Sequence, residues 1–281
     1  MRTFFSRTIM QYTDDKILTD NQRSIVKRLL QEAESFIPQE ISIEDLGDAN
    51  FLRVVYIYFL TKYVRTLKAV YILIENDFGE DAFMLSRSLF EIWVRILWAE
   101  KHPEQCVLLF RVQFSRSMSK DVQRYRSVHG SPPPDDFDYV GQEDWSDESA
   151  KGFITQLANI APELAARVRD NDSEYWPGKS LQRMVAEIDP TLKWFYGVGY
   201  SLPSTLLHAD VGGMNHYILL EGTLGKPTVS PSGQFSSGTL CSSSGMLINI
   251  LRIFDEKSNL RKKDKLDTLD EELTRAFGEQ G

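Results

Sequence analysis

The hydrophobic pattern is helical along nearly the whole chain. Between Asn21 and Ile37 the apolar positions Ile25, Val26, Leu29, Leu30, Ala33, Phe36 and Ile37 recur at helical period, and Pro38 ends the run. Asp20 is placed to cap it. A second helix, capped by Asp48 or Asn50, reaches about Asn76 and is apolar on most faces, which predicts a central position. Asn76-Asp77-Phe78-Gly79 reads as a turn. A third helix runs from about Glu80 to Lys101 and stops before Pro103. A fourth runs from Pro103 to about Val128, with Val107, Leu108, Phe110, Phe114, Met118, Val122 and Tyr125 expected inward.

His129-Gly130-Ser131 and three prolines then stop the pattern. Asp135 to Glu148 holds seven carboxylates and neither Lys nor Arg. Such a stretch cannot bury enough apolar area to offset its ordering entropy, so an exposed acidic loop is expected. Helical period resumes at Phe153, Ile154, Leu157 and Ile160, and again from Pro162 to Val168. Ser180 can cap a short helix carrying Leu181, Met184, Val185 and Ile188. Asp189-Pro190 is a good start for a further helix carrying Leu192, Phe195, Tyr196 and Tyr200 towards His208.

The segment 221–245 is rich in Gly, Ser and Thr, and Ser242–Ser244 reads as linker. A short hairpin there would pair Tyr217–Leu220 with Thr228–Ser230. A last apolar helix is expected from about Ser243 to Phe254. A charged stretch from Lys257 to Phe277 follows, read as a solvated helix or a contact arm. The fold class is therefore all-α: a multi-helix bundle with a long acidic loop and a short Gly/Ser-rich insertion. Its expected organisation is an N-terminal helical segment (1–47), a helical core (48–256, with the acidic loop at 129–149 and the insertion at 221–245) and a tail helix (257–281).

Composition narrows the function classes. With 281 residues and 42% hydrophobic content, the chain can build a core without metal or disulfide. A net charge of −8 argues against a general nucleic-acid coat, which needs many cationic phosphate contacts, but leaves room for a local basic patch. Two isolated cysteines, Cys106 and Cys241, form no disulfide framework, and with no signal-peptide pattern at the start a cytoplasmic protein is expected. The most apolar stretch, Phe51 to Ile74, contains Arg53, Lys62, Arg65 and Lys68. Each charge costs roughly 2.5–3.5 kcal/mol at a bilayer centre, so a buried helix is expected and no membrane contact.

Three segments carry a resemblance. They are Leu85-Ser86-Arg87-Ser88-Leu89-Phe90-Glu91, then Trp176-Pro177-Gly178-Lys179-Ser180-Leu181, then Tyr196-(x3)-Tyr200-(x3)-Ser204-(x3)-His208. In this order, over about residues 50 to 220, they resemble an uncharacterised family of bacterial helical proteins with the pattern R-x-L-x-E, W-x-G-x-S-L, Y-R-x-L-S-x-x-x-H. That family is similar to HEPN-type domains. The similarity implies a metal-independent ribonuclease of toxin–antitoxin or phage-defence systems, with an Arg-plus-His site formed across a homodimer. A protein partner or antitoxin and an RNA substrate are implied as well. The sequence departs from the pattern where the expected Arg is Ser201, and Pro203 is expected to interrupt the helix carrying the site.

Histidine titrates near neutral pH, so His208 suits general acid–base work; it can equally make one structural hydrogen bond. Arg87 and Glu91, at i and i+4, meet on one helix face. They form either a polar latch in the core or part of a site, in which Arg87 supplies the cation that Ser201 lacks. That requires the third helix to lie beside His208. Tyr200 and Ser204 are candidate substrate-binding residues. So are Arg124 and Arg126, on a basic face with Arg111, Arg116 and Lys120 that could instead be merely solvated. Arg124–His129 and Arg95–His102 match R-x(4–6)-H, but chance alone yields such spacings. His208, Asp210 and His216 fit no standard zinc spacing, and no cofactor is expected. The alternative function is a catalytically inactive helical module that binds a protein or RNA partner.

Overall fold

The computed structural model describes residues 18–41, 51–131, 147–170, 180–208, 218–221, 224–227, 233 and 235–278. The expected acidic loop, the Trp176 segment, Asp210 and His216 lie outside these, apart from the ends of the loop. Eleven α-helices and one hairpin make up the described chain, which is the all-α bundle expected. It divides into two compact units: Met1–Gln39, Ile57–Ile96 and Thr191–Gly281 form the first, and Glu40–Tyr56 with Leu97–Pro190 the second. No described helix is long and apolar enough to cross a membrane.

In the first unit, α1 (Asp20–Glu34) begins with a capping box. Thr19 Oγ1 accepts from Gln22 N–H at 3.2 Å and Gln22 Oε1 accepts from Thr19 N–H at 2.9 Å. The cap is thus Thr19 rather than Asp20, because only Thr19 has Gln three residues on to complete the pair. α2 (Phe51–Glu75) and α3 (Gly79–Lys101) are nearly as the pattern predicts, joined at Asp77, which adopts φ 65°. Each of these two helices belongs to both units by sequence. This unit resumes at Thr191, inside a 3₁₀ turn (Pro190–Leu192), and goes on with α8 (Lys193–Tyr196), a π-helical turn (Gly197–Ser201) and α9 (Leu202–Leu207).

The hairpin is tighter than expected. β1 (Ile218–Glu221) pairs with β2 (Leu224–Pro227), Glu221 opposite Leu224, so two residues make the connection. The larger correction is α10 (Ser236–Ser258), which starts seven residues before the expected Ser243. Ser242–Ser244 is no linker: these serines are buried with Ser236 and Thr239 inside the unit. Small side chains let neighbouring backbone come close, and Tyr63, fully buried on α2, donates its hydroxyl to the Ser243 carbonyl at 2.7 Å. α11 (Lys263–Gly278) is likewise not a solvated helix. It buries Leu266, Leu269, Leu273 and Phe277 and packs on α1 and α10.

In the second unit, α4 (Pro103–His129) packs against α5 (Asp147–Ile160), which continues into α6 (Pro162–Asp170); α7 (Leu181–Ile188) is capped by Ser180. The buried face of α4 is Cys106, Leu109, Val112, Ser115 and Met118. Of the positions expected inward only Met118 is buried; the true face mixes in a Cys and a Ser, which an apolar periodicity passes over. Burial, with the Glu100 carboxylate nearby, pushes the Cys106 thiol up to about 12, so it stays protonated at neutral pH.

Candidate functional site

α3 carries Arg87 and Glu91 because its apolar face is anchored above and below them. Phe83 stacks on Phe235 with ring centroids 4.6 Å apart. Phe90, fully buried, meets Trp93, Phe195 and Tyr196. Arg87 is therefore held at a fixed height beside the segment 193–208, in the same unit.

Pro203 interrupts the regular α-helix of that segment, as the sequence suggests, but the chain stays helical through it. Leu202 N–H reaches back five residues to the Gly197 carbonyl, giving one wide π turn. Proline lacks an N–H and its ring crowds the preceding turn of an ordinary helix. The wide turn just before it relieves that crowding, and α9 continues to Leu207 with Pro203 buried. The same turn aligns the site. Four residues of α-helix overshoot one full turn by about 40°, so Tyr196, Tyr200, Ser204 and His208 would spiral by about 120° on a regular helix. A π turn winds less per residue and takes back part of that drift.

The result is a cluster around the Arg87 guanidinium. Nη2 donates to the Tyr200 hydroxyl at 2.7 Å, and Nη1 donates to Ser204 Oγ at 3.2 Å. Nη1 also lies 3.3 Å from His208 Nε2, a hydrogen bond when that nitrogen is unprotonated. The guanidinium stands 4.4 Å from the centre of the Tyr200 ring, and Tyr200 stacks on Tyr196 at 5.0 Å. Nε faces Glu91 Oε1 at 3.3 Å as an ion pair without hydrogen-bond alignment, and Glu91 Oε2 lies 3.5 Å from Arg95. Arg87 is largely buried, whereas His208 is exposed at the end of α9. Burial raises the Tyr196 phenol above its ordinary value; Tyr200 and Glu91 add to this, and Arg87 opposes it.

Hydrogen direction matters for what such a cluster can do. Arginine only donates, so Tyr200 and Ser204 act as acceptors towards it. Each hydroxyl keeps its own hydrogen for another acceptor. With one Nη2 hydrogen outside these contacts, the site offers several donors beside an exposed imidazole. That suits an anion with oxygens on more than one side, such as a phosphate diester.

Five residues singled out from the sequence thus meet: Arg87, Glu91, Tyr200, Ser204 and His208. Arg124 and Arg126 are exposed on α4 in the other unit, where Arg124 pairs with Asp121 at 3.2 Å. The basic face expected there is smaller than the sequence suggests. Arg111 lies over the Phe51 and Phe153 rings, and Arg116 donates to the Val168 carbonyl at the end of α6. Arg95 pairs with Glu91, and His102 stacks on Trp98, so the Arg95–His102 spacing reflects two structural roles. Among the described residues no three His, Cys, Asp or Glu side chains converge on a metal site. Tyr196, the first position of the motif that carries Tyr200, Ser204 and His208, joins the cluster through its stack on Tyr200. Sequence reasoning misses Gly199, which gives no signal in the sequence.

The site is a guanidinium–imidazole pair set between two helical segments of an all-α bundle. The chain belongs to the family of unknown function DUF5677, whose model matches residues 53–224. All five clustered residues fall inside the match; α1, α10 and α11 fall outside it. No curated protein and no solved structure matches the chain.

Proposed function

We propose that this protein is a HEPN-like, cytoplasmic, metal-independent endoribonuclease acting as an effector in phage defence or toxin–antitoxin function. The observation that carries the proposal is the 3.3 Å approach of Arg87 Nη1 to the exposed His208 Nε2. A general acid–base and a cation are the two requirements for cleaving RNA without metal. As a bound phosphate draws Arg87 Nη1 away from it, His208 Nε2 is freed to take the proton of a ribose 2′-hydroxyl while that oxygen attacks the adjacent phosphorus. Arg87 balances the charge gathering on the non-bridging oxygens, and Tyr200 and Ser204 donate to them. The bond to the 5′-oxygen breaks and that oxygen takes its proton from water, the proton on His208 passing back to solvent, which leaves a 2′,3′-cyclic phosphate and a 5′-hydroxyl. Glu91 holds Arg87 in place. In this reading Arg87 supplies the cation absent at Ser201. Arg124 and Arg126, in the other unit, bind RNA phosphates on their own account, and the protein works as a homodimer.

The test is induced expression in bacteria of the wild type and of His208→Ala, followed by cleavage of labelled RNA by the purified proteins in EDTA. The expected result is growth arrest and fragments ending in cyclic phosphate for the wild type only. Intact RNA with both proteins, in cells and in vitro, overturns the proposal.

A second reading has its own observation. Both hydrogens of Arg87 Nη1 already face Ser204 and His208. A guanidinium so engaged also serves as a latch holding α3 to the segment 193–208, in a catalytically inactive module that binds a protein or RNA partner. In that case His208→Ala lowers stability and leaves RNA untouched in the same assay.

A further inference from the structure

The backbone at Gly199 comes unusually close to α3. A Cβ placed there would stand 3.0 Å from Phe90 Cδ2 and 3.5 Å from its Cγ and Cε2. The ring cannot move aside freely, because it is fully buried and touches Trp93, Phe195 and Tyr196. A Cβ at Gly197, in the same π turn, would meet nothing within 4 Å. Phe90 lies between Arg87 and Glu91 in the sequence of α3, and Gly199 directly precedes Tyr200. The contact therefore sets the distance between the two halves of the cluster.

We propose that Gly199 is a positioning residue: its missing side chain lets the π turn seat on Phe90 and brings Tyr200, Ser204 and His208 within reach of Arg87. The inference rests on the reading of this cluster as the site. Local propensity argues the opposite way, since Ala is a better helix former than Gly by roughly 1 kcal/mol. Packing thus opposes propensity at Gly199 and leaves it unopposed at Gly197.

The experiment compares Gly197→Ala, Gly199→Ala and the double variant Phe90→Leu/Gly199→Ala. The His208 ring-proton signals are followed by NMR, assigned by their loss in His208→Ala. RNA cleavage is measured in parallel. Gly197→Ala is expected to keep the wild-type ring signals. Gly199→Ala is expected to shift them and, where the wild type cleaves RNA, to lower kcat by about 10-fold, less than the roughly 100-fold of a full 1 Å misplacement because the overlap is a fraction of that. Phe90→Leu, by making room, is expected to return the signals towards wild type in the double variant; it does so even if Gly199→Ala alone folds poorly. Wild-type ring signals in Gly199→Ala, or an equal disturbance by Gly197→Ala, overturn the inference. A wild type that cleaves no RNA overturns the proposed activity alone, because the NMR signals still report the positioning.

Discussion

One side chain, Arg87, joins most of the candidate site. Its planar fork reaches Tyr200 with one nitrogen and Ser204 and His208 with the other while its face lies over the Tyr200 ring. A lysine ammonium is a point charge and cannot hold that arrangement. Arg87→Lys is therefore expected to lower stability by about 1–2 kcal/mol, the worth of the lost stack and charge-assisted bonds together. Urea denaturation measures it, and an unchanged midpoint with an unchanged slope would mean the fork is dispensable. At this scale the site is unevenly legible in the sequence. Arg87 with Glu91, and Tyr200 with Ser204 and His208, stand out because their spacings are helical. That the two sets face each other depends on contacts more than a hundred residues apart in sequence, which no periodicity encodes. Gly199 is silent because what matters there is the approach of a distant ring to a bare Cα.

Helix α10 shows what hydrophobic patterning misses among elements. Gly, Ser and Thr read as linker because they lack apolar bulk, yet bulk is what a closely packed central helix cannot accommodate. The backbone hydrogen bonds are made within the helix, and the burial cost falls on the hydroxyls. Among the described residues, the side-chain oxygens of Ser236, Thr239, Ser243 and Ser244 have no hydrogen-bond partner. Ser243 makes a sharp test, since it is fully buried and its carbonyl receives the Tyr63 hydroxyl. Ser243→Ala removes an unpaired oxygen and is expected to keep or raise the urea midpoint. Ser243→Leu adds volume where none exists and is expected to cost about 1–3 kcal/mol. If leucine is accepted as readily as alanine, the close packing of α10 is wrong. The long helices α2, α3 and α4 are legible almost to the residue, because their apolar runs are long and end at proline or a polar turn. The π turn is not, since Pro203 signals only that an ordinary helix is disfavoured and says nothing of how the chain will accommodate it.

Over the whole chain, the two ends of the described structure close on each other outside the family's matched region. Gln22 of α1 is buried and its Nε2 donates to the Ala276 carbonyl of α11 at 3.1 Å. Glu32 of α1, 5% exposed, receives Lys262 at 2.9 Å and also Lys265, and Lys262 lies over the Phe36 ring. Burial alone would raise the Glu32 carboxyl; hydrogen bonds from Lys265 and Lys262 outweigh it, so the pKa lies below the ordinary 4.5. A carboxyl with a depressed folded-state pKa adds stability that is fully present above its unfolded value. That stability disappears as the pH falls through the folded value, where the proton is taken up in both states. Glu32→Gln should therefore cost about 2 kcal/mol at pH 7, the scale of a hydrogen bond to a charged group. The gap between variant and wild type should stay constant down to about pH 5, narrow below about 4.5, where the unfolded chain takes up the proton while the folded carboxylate keeps its charge, and close as the pH falls through the lower folded-state value. Urea midpoints measured from about pH 7 to about pH 3 follow that gap directly. A gap that persists unchanged at the acid end would assign the effect to shape rather than charge, and the clasp between α1 and α11 would then rest on Gln22 and the buried leucines.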